Sequence, residues 1–163
     1  MRPAAGVARE CAAEFIGTYV LVFFGTGSVH VAVLTGGLVG LWQVAVVWGV
    51  AISLAIYATS SVSGAHMNPA ITVAFAAWRR FPSRKVPHYV ASQLLGAVAA
   101  AATLYALFHN LIGQFEAAKG LVRGQPGSEL SAMLYGEYFP NPALVGTTAA
   151  AFQGVSHLQA MLG

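Results

Sequence analysis

The stretch Ser-Gly-Ala-His-Met-Asn-Pro-Ala-Ile-Thr at residues 63–72 decides the fold, because it begins a helix too short to cross a membrane. Asn68 is a residue type that caps helix N-termini, and Pro69 follows at the first helical position, where its missing N–H costs nothing. A helix from Asn68 to Arg79 would measure about 18 Å at ~1.5 Å per residue, roughly half of the ~30 Å hydrocarbon core of a bilayer. The stretch therefore predicts a re-entrant segment, at about 61–79, that enters a membrane and returns to the same side.

Three long apolar stretches surround this segment, at about 11–33, 38–60 and 86–111. About 20 apolar residues are enough for one helix to span a bilayer. The composition agrees, since 57% of the 163 residues are hydrophobic and 8% are charged, against about 25% charged in soluble domains. The sequence predicts an all-α integral membrane protein, in contact with the lipid bilayer, with three transmembrane helices and one re-entrant half-helix.

The residues after the third apolar stretch have a different character. Residues 112–156 contain several prolines, glycines and acids, which predicts a long external loop. Residues 157–163 resemble the first turns of a fourth helix. The prediction for the chain is therefore three spans, a half-helix, an external loop and the start of a fourth span.

The basic residues indicate the orientation. Six precede the first span or lie between the second and third, namely Arg2, Arg9, Arg79, Arg80, Arg84 and Lys85, whereas Lys119 and Arg123 follow the third. Because cytoplasmic loops carry an excess of Lys and Arg, we expect a multi-pass protein of the cell (inner or plasma) membrane with a cytoplasmic N-terminus. This distribution also accounts for the pI of about 9.3 without a nucleic-acid partner.

The re-entrant segment carries the chemistry of a pore lining. Irregular backbone at membrane depth is tolerated only where it is buried in protein or lines a watery cavity. Residues 61–67 offer carbonyl acceptors, while the half-helix N-terminus and the Asn68 amide supply positive potential and a donor. Such a pore admits small neutral hydroxylated molecules and opposes cations and protons.

Residues 63–72 resemble the first Asn-Pro-Ala loop of the major intrinsic proteins, the aquaporins and aquaglyceroporins. Residues 13–29 are similar to the first helix of that family and residues 92–105 to its third. The resemblance implies that residues 1–163 form the N-terminal half of a single aquaporin-like channel domain with six helices. It also implies a homotetramer when the protein is full length.

The resemblance further implies which residues line the pore. They are Asn68, Pro69 and Ala70 of the triplet, Gly64, Ala65 and His66 through their carbonyls, and Trp48. Trp48 lies twenty residues before Asn68, where the family places one member of its selectivity ring. Tryptophan there is typical of the glycerol facilitators and of some metalloid channels. Residues 136–142 also resemble the external loop of those facilitators. The implied function is passive passage of glycerol, similar small polyols and water, with no cofactor.

Glu14 is an acid inside a predicted span, where a charge is costly unless it has a partner. The resemblance implies a structural brace that accepts hydrogen bonds from the pore-loop backbone. The residues alone leave open a second interpretation, an interfacial carboxylate near the cytoplasmic end of the span. His66 has no second ligand at helical spacing, so no metal site is predicted. The sequence contains no nucleophile–base pair or phosphate-binding loop, and we predict that the protein is not an enzyme.

A second Asn-Pro-Ala triplet occurs at residues 141–143. In the family, the second pore triplet is followed by an arginine and comes after two further spans, whereas position 144 is Leu and a single apolar span separates the two triplets here. We therefore predict that Asn141 belongs to a proline-stiffened external loop.

Three alternatives stay open. Water, urea and metalloid channels belong to the same family, and a second pore triplet with its arginine would be needed to separate them. A secondary transporter also uses broken helices, but one buried acid gives little support for coupling-ion ligands. The end of the sequence at Gly163 motivates the third alternative, a non-conducting truncated half-subunit.

Overall fold

The structure is a computed structural model that describes residues 6–79, 81–136, 138–148 and 156. Its elements are α1 (Val7–Thr35), α2 (Leu41–Ser63), α3 (Pro69–Trp78), a 3-10 turn (Ser83–Lys85), α4 (Val86–Lys119), α5 (Glu129–Ala132) and α6 (Pro142–Val145). Helices α1, α2 and α4 are long and apolar enough to cross a membrane, and α3 has 10 residues. The predicted all-helical architecture of three spans and one half-length helix is confirmed.

Helix α4 corrects one predicted boundary, because it continues to Lys119 through residues 112–119 of the predicted external loop. The prediction followed the apolar run, which ends near residue 111. Polar residues such as Glu116 extend a helix well, since helix propensity does not depend on apolar character. The helix ends at Gly120, which adopts the left-handed conformation (φ 66°) common at helix C-termini.

The re-entrant segment is also more helical than predicted. Helix α2 continues to Ser63, so its irregular part is confined to residues 64–68, which we call the pore loop. Beyond α4, residues 121–136 and 138–148, here called the connecting segment, contain the four-residue helices α5 and α6. The predicted start of a fourth helix at 157–163 lies outside the described residues.

Helix α1 is the centre of the packing, because it contacts both α2 and α4, while α3 packs on α4. The close approach of α1 and α4 depends on Gly96, where a Cβ would lie 2.4 Å from the Phe15 carbonyl oxygen. Gly17 on α1 similarly leaves room for Met67 of the pore loop, whose Sδ would lie 2.8 Å from an added Cβ. Small residues thus let α1 support both a neighbouring span and the pore loop.

Large apolar side chains are exposed on the outer faces of the helices. Examples on α2, α3 and α4 are Val46, Leu54, Tyr57, Val73, Leu94 and Leu95. A surface of this kind suits lipid or further apolar helices and not water.

Candidate functional site

Asn68 caps the half-length helix α3. Its backbone is extended (φ −154°, ψ 128°), and its Oδ1 accepts hydrogen bonds from the N–H groups of Ala70 (2.7 Å) and Ile71 (3.4 Å), with Pro69 at the first helical position. The side chain is exposed, and no described residue accepts a hydrogen bond from Nδ2. Asn68 therefore presents a free amide donor at the positive end of the α3 dipole.

The pore loop contains three residues in the left-handed conformation. Their φ angles are 90° at Gly64, 53° at Ala65 and 48° at Met67. Glycine adopts this conformation freely, whereas it costs other residues about 1–2 kcal/mol each. Ala65 and Met67 remain there because the surrounding structure fixes the loop, a situation common at functional sites.

Glu14 of α1 is the main support of this loop. Its side chain is fully buried (0% exposed). Oε1 accepts from the backbone N–H of His66 (2.9 Å) and Oε2 from that of Met67 (2.7 Å). Oε2 also accepts from Nε2 of Gln93 on α4 (2.7 Å). The buried carboxylate therefore joins α1 and α4 to the loop.

The pore loop has more free acceptors than free donors. The N–H of Ala65 donates to Ser63 Oγ (3.2 Å), so the N–H groups of residues 65–67 are all bonded to the protein. The carbonyl oxygens of Gly64, Ala65 and His66 accept no hydrogen bond from any described residue. These three carbonyls are available to a hydroxyl group in the space beside the loop.

Gln93 is a residue of this hydrogen-bond network that the sequence analysis missed. Besides its bond to Glu14, Nε2 donates to Thr72 Oγ1 (2.9 Å), and Thr72 in turn donates to the Asn68 carbonyl (3.0 Å). Gln93 and Thr72 are both almost completely buried. The signal in the sequence was an amide within an apolar span, since such a group in the membrane interior needs partners. Together the two residues fix the start of α3 to α4.

The imidazole of His66 packs among aromatic rings. Its ring centroid lies 4.7 Å from that of Phe75, 4.8 Å from Phe81 and 5.1 Å from Tyr89, and Nδ1 lies 3.2 Å from Thr72 Oγ1. The side chain is thus turned into the protein and away from any solvent-filled space. Over the part of the chain that the structure describes, no group of three or more His, Cys, Asp or Glu residues could hold a metal ion.

A partly buried ion pair also supports the region of the pore loop. Lys85 Nζ donates to both carboxylate oxygens of Glu10 (2.8 and 2.7 Å). The Tyr89 hydroxyl lies 3.2 Å from Glu10 Oε2 and 2.9 Å from the carbonyl oxygen of Ser63, so it can donate its hydrogen bond to either oxygen. This network, also missed in the sequence, links the starts of α1 and α4 to the end of α2.

Trp48 lies apart from the pore loop on α2. Among the described residues it makes no hydrogen bond and no aromatic contact with residues 64–68. Its ring rests on α1 at Gly25 and borders a cavity of about 460 Å³. The cavity is also lined by α1, by α4 and by residues 133–136 of the connecting segment. Trp48 is half-buried.

Arg123 anchors the connecting segment to α4. Its Nε donates to Glu116 Oε1 (2.8 Å) and Oε2 (3.0 Å), and its Nη1 donates to the Tyr105 hydroxyl (3.1 Å). The hydrogen bond with Glu116 raises the pKa of the Arg123 guanidinium above its usual range. Because the Arg123 side chain is about half exposed (51%), the pair contributes at most about 1 kcal/mol. The arrangement orders the segment without forming part of the pore loop.

The second Asn-Pro-Ala triplet forms a much smaller element. Asn141 Oδ1 accepts from the N–H of Ala143 (2.9 Å), and the helix it caps, α6, has 4 residues. An element of this length cannot cross half a bilayer. The structure therefore presents a half-length helix at the first triplet alone, among the residues it describes.

Comparison with known proteins finds relatives that belong to one family. The sequence profile of the major intrinsic proteins matches residues 3–158. The glycerol uptake facilitator of Pseudomonas aeruginosa is 43% identical over 142 residues, which are 87% of this chain and 50% of that protein. The glycerol uptake facilitator of Escherichia coli (strain K12) is 42% identical over 146 residues (90% and 52%). The propanediol uptake facilitator of Citrobacter freundii is 40% identical over 146 residues (90% and 54%).

A solved structure shares the fold. The X-ray structure of the aquaglyceroporin from Plasmodium falciparum matches with a TM-score of 0.62 and 36% sequence identity, over 67% of this chain and 45% of that one. The chain spans about half the length of the curated relatives it matches.

Proposed function

The chain belongs to the major intrinsic protein family, and from this premise we propose that it forms part of a passive channel for glycerol, similar small neutral polyols and water. Members of this family are channels and not enzymes. The observation that carries the proposal is the pore loop itself. A buried Glu14 fixes the loop so that three carbonyl acceptors and the free Asn68 amide remain available together.

The proposed mechanism exchanges water for protein hydrogen bonds. Each glycerol hydroxyl donates to one of the carbonyls of Gly64, Ala65 and His66 at a time and accepts from Asn68 Nδ2 as it passes, so that a desolvated solute keeps its hydrogen bonds at membrane depth. Pro69 and Ala70 begin the helix that orients this donor. The positive end of α3 opposes cations and protons at the same depth. No cofactor or metal takes part in this mechanism.

Trp48 has a different role in the proposal. The half-buried ring offers an apolar wall to the carbon backbone of a polyol, while its hydroxyls face polar groups elsewhere in the pore. Such a division between apolar and polar walls suits glycerol better than water, because burial of carbon atoms is favourable by roughly 25 cal/mol per Å².

The proposal also includes location and assembly. Apolar spans make this a multi-pass membrane protein. The excess of basic residues before α1 and between α2 and α4 supports a cytoplasmic N-terminus in the cell (inner or plasma) membrane. The exposed apolar faces of α2 and α4 support burial against lipid, further helices and other subunits of a homotetramer.

Propanediol is a second candidate substrate, because a propanediol uptake facilitator is among the relatives at 40% identity. Propanediol has one hydroxyl fewer than glycerol and therefore needs fewer of the loop acceptors. The relative permeability to the two solutes separates the candidates.

The test uses the protein expressed from its native gene and reconstituted in liposomes. We expect stopped-flow light scattering to report glycerol and water flux above that of empty liposomes, and a pH-sensitive dye to report no proton flux. Water flux alone would indicate a water channel, and solute accumulation driven by an ion gradient would indicate a transporter. Correctly inserted protein with no flux of any solute would contradict the proposal.

A further inference from the structure

Trp48 lies flat against the backbone of α1 at Gly25. A Cβ built on Gly25 would lie 2.6 Å from Cδ2, 2.6 Å from Cε3 and 2.7 Å from Cε2 of the Trp48 ring. These atoms are consecutive in the six-membered ring, so a carbon nearly equidistant from all three lies over the ring face and not at its edge. Because carbon atoms pack at ~3.5–4.0 Å, a methyl group at this position would force a displacement of about 1 Å.

This contact differs from those at Gly17 and Gly27, the two other glycines of α1. An added Cβ at Gly17 would meet the flexible thioether chain of Met67, and one at Gly27 would meet a terminal methyl of Leu104 at 3.2 Å. Such groups can move aside by changing one torsion. The rigid indole at Gly25 moves as a whole, since it has two side-chain torsions and no flexible end.

We infer that Gly25 is a positioning residue for solute specificity, because its missing side chain determines where the Trp48 ring stands. This inference rests on the proposed function, in which Trp48 forms the apolar wall of the pore. A side chain on Gly25 pushes the ring away from α1 and changes the width available beside it. A polyol, which is wider than a water molecule, is more sensitive to that change.

The cavity beside Trp48 offers the displaced ring a second place to move. Its volume of about 460 Å³ is bounded by the ring itself, by Val22 and Thr26 on α1 and by Val98 on α4. A displaced ring that moved wholly into this cavity would leave the constriction unchanged. The experiment therefore measures both the selectivity and the position of the ring.

The first measurement compares Gly25→Ala with the unaltered protein, expressed from the native gene and reconstituted in liposomes. A ring displaced by about 1 Å obstructs a polyol more than water, and a tenfold change in a rate corresponds to ~1.4 kcal/mol in its barrier. We expect the ratio of glycerol to water permeability to fall roughly tenfold. A ratio is used because it does not depend on how much protein inserts.

Gly49→Ala is the matched control. Gly49 follows Trp48 on α2, and an added Cβ there meets nothing within 4 Å. We expect its permeability ratio to equal that of the unaltered protein. An equal fall in both variants would overturn the inference, since the effect would then arise from glycine replacement in a helix and not from the ring.

A second substitution tests the cause directly. Trp48→Ala removes the ring that overlaps the new methyl group, so Gly25→Ala combined with Trp48→Ala should show the same ratio as Trp48→Ala alone. Such non-additivity is the sign of direct contact between two sites. An additive result would overturn the inference. Gly25→Ala alone could fail to insert into the membrane. In that case, insertion of the double variant would support the overlap between the methyl group and the ring, and failure of both variants to insert would overturn the inference.

Fluorescence separates failure of the inference from failure of the proposed function. With Trp42→Phe and Trp78→Phe in place, Trp48 is the single tryptophan left among residues 1–163, and the same protein with Trp48→Ala gives the emission to subtract. Gly25→Ala should shift the emission maximum of Trp48 and its accessibility to an aqueous quencher. Unaltered protein that conducts no glycerol would contradict the proposed function alone. Unchanged emission together with an unchanged permeability ratio would overturn the inference alone.

Discussion

The two Asn-Pro-Ala triplets have the same local chemistry and different structures. In each, Asn Oδ1 accepts from the N–H two residues later, at 2.7 Å for Asn68 and 2.9 Å for Asn141, and proline occupies the first helical position. The first triplet begins a helix of 10 residues, whereas the second begins one of 4. The cap alone therefore does not determine the length of the helix that follows.

The difference lies in the support from other parts of the chain. The pore loop before Asn68 is bonded to Glu14 of α1, and the first turn of α3 is bonded to Gln93 of α4. The bonds of the Asn141 triplet are all made within residues 141–146 among the described contacts. At the first triplet, a buried acid from a distant helix thus adds to the local motif.

The largest expected effect comes from removing this acid. Glu14→Ala leaves the buried N–H groups of His66 and Met67 without acceptors, at a cost of about 1–3 kcal/mol each. We expect a large loss of thermal stability in detergent and loss of glycerol flux from the protein that remains folded. The control is Glu129→Ala, which removes an acceptor of one N–H, that of Gly127, in the connecting segment. Equal destabilisation by the two variants would contradict the distinction between the triplets.

The next effect compares the two asparagines directly. Asn68→Ala and Asn141→Ala each remove a helix cap, so both should lower the free energy of unfolding by about 1 kcal/mol. Only the first should reduce glycerol flux, because only Asn68 offers its amide beside the free carbonyls of the loop. Asn68→Asp retains the cap acceptor and loses the donor, so flux should fall with little loss of stability. Equal glycerol flux in the two alanine variants would show that Asn68 does not line the pore.

The sequence correctly predicted the elements whose signals lie in neighbouring residues. The three spans follow from apolar length, the start of α3 from Asn68 and Pro69, and the need for a partner at Glu14 from the cost of a buried charge. The predicted end of α4 was wrong because hydropathy indicates which residues contact lipid and not where a helix ends. Residues 112–119 extend the helix beyond the apolar run.

The contacts that sequence reasoning missed are long-range. Gln93 is 79 residues from Glu14, and Lys85 is 75 residues from Glu10. The sequence around Gln93 or Lys85 does not indicate which residue it bonds, since that pairing depends on how α1 and α4 cross. The Trp48–Gly25 contact is of the same kind, because it requires knowledge of which faces of α1 and α2 meet.

A smaller effect is expected at Tyr89, which supports the pore loop from the side of α4. Tyr89→Phe removes the hydroxyl bonded to the Ser63 carbonyl and to Glu10, and we expect a loss of about 1 kcal/mol of stability. Tyr19→Phe is the matched control, because the Tyr19 hydroxyl bonds Thr103 at 3.2 Å in a partly buried position away from the loop. Thermal unfolding in detergent compares the two, and a larger shift at Tyr19 would contradict a special role for Tyr89.

The smallest effect concerns backbone conformation. Ala65 holds φ at 53°, whereas in the connecting segment the described residues with positive φ are glycines, such as Gly127 and Gly146. Ala65→Gly relieves about 1–2 kcal/mol of strain and gives up about 0.4–1 kcal/mol through the greater freedom of the unfolded chain. We expect a net stabilisation below ~1 kcal/mol in thermal unfolding.

Met67→Gly should have the opposite sign, although Met67 shares the positive φ of Ala65 (48°). Its side chain is buried (7% exposed) and fills the space left by Gly17 on α1. Loss of such burial costs about 1.5–3 kcal/mol, which exceeds the strain relieved. If Ala65→Gly and Met67→Gly both stabilised the protein, backbone strain and not contact with α1 would control the loop. Opposite signs would show that the loop stays in its strained shape because α1 binds it there.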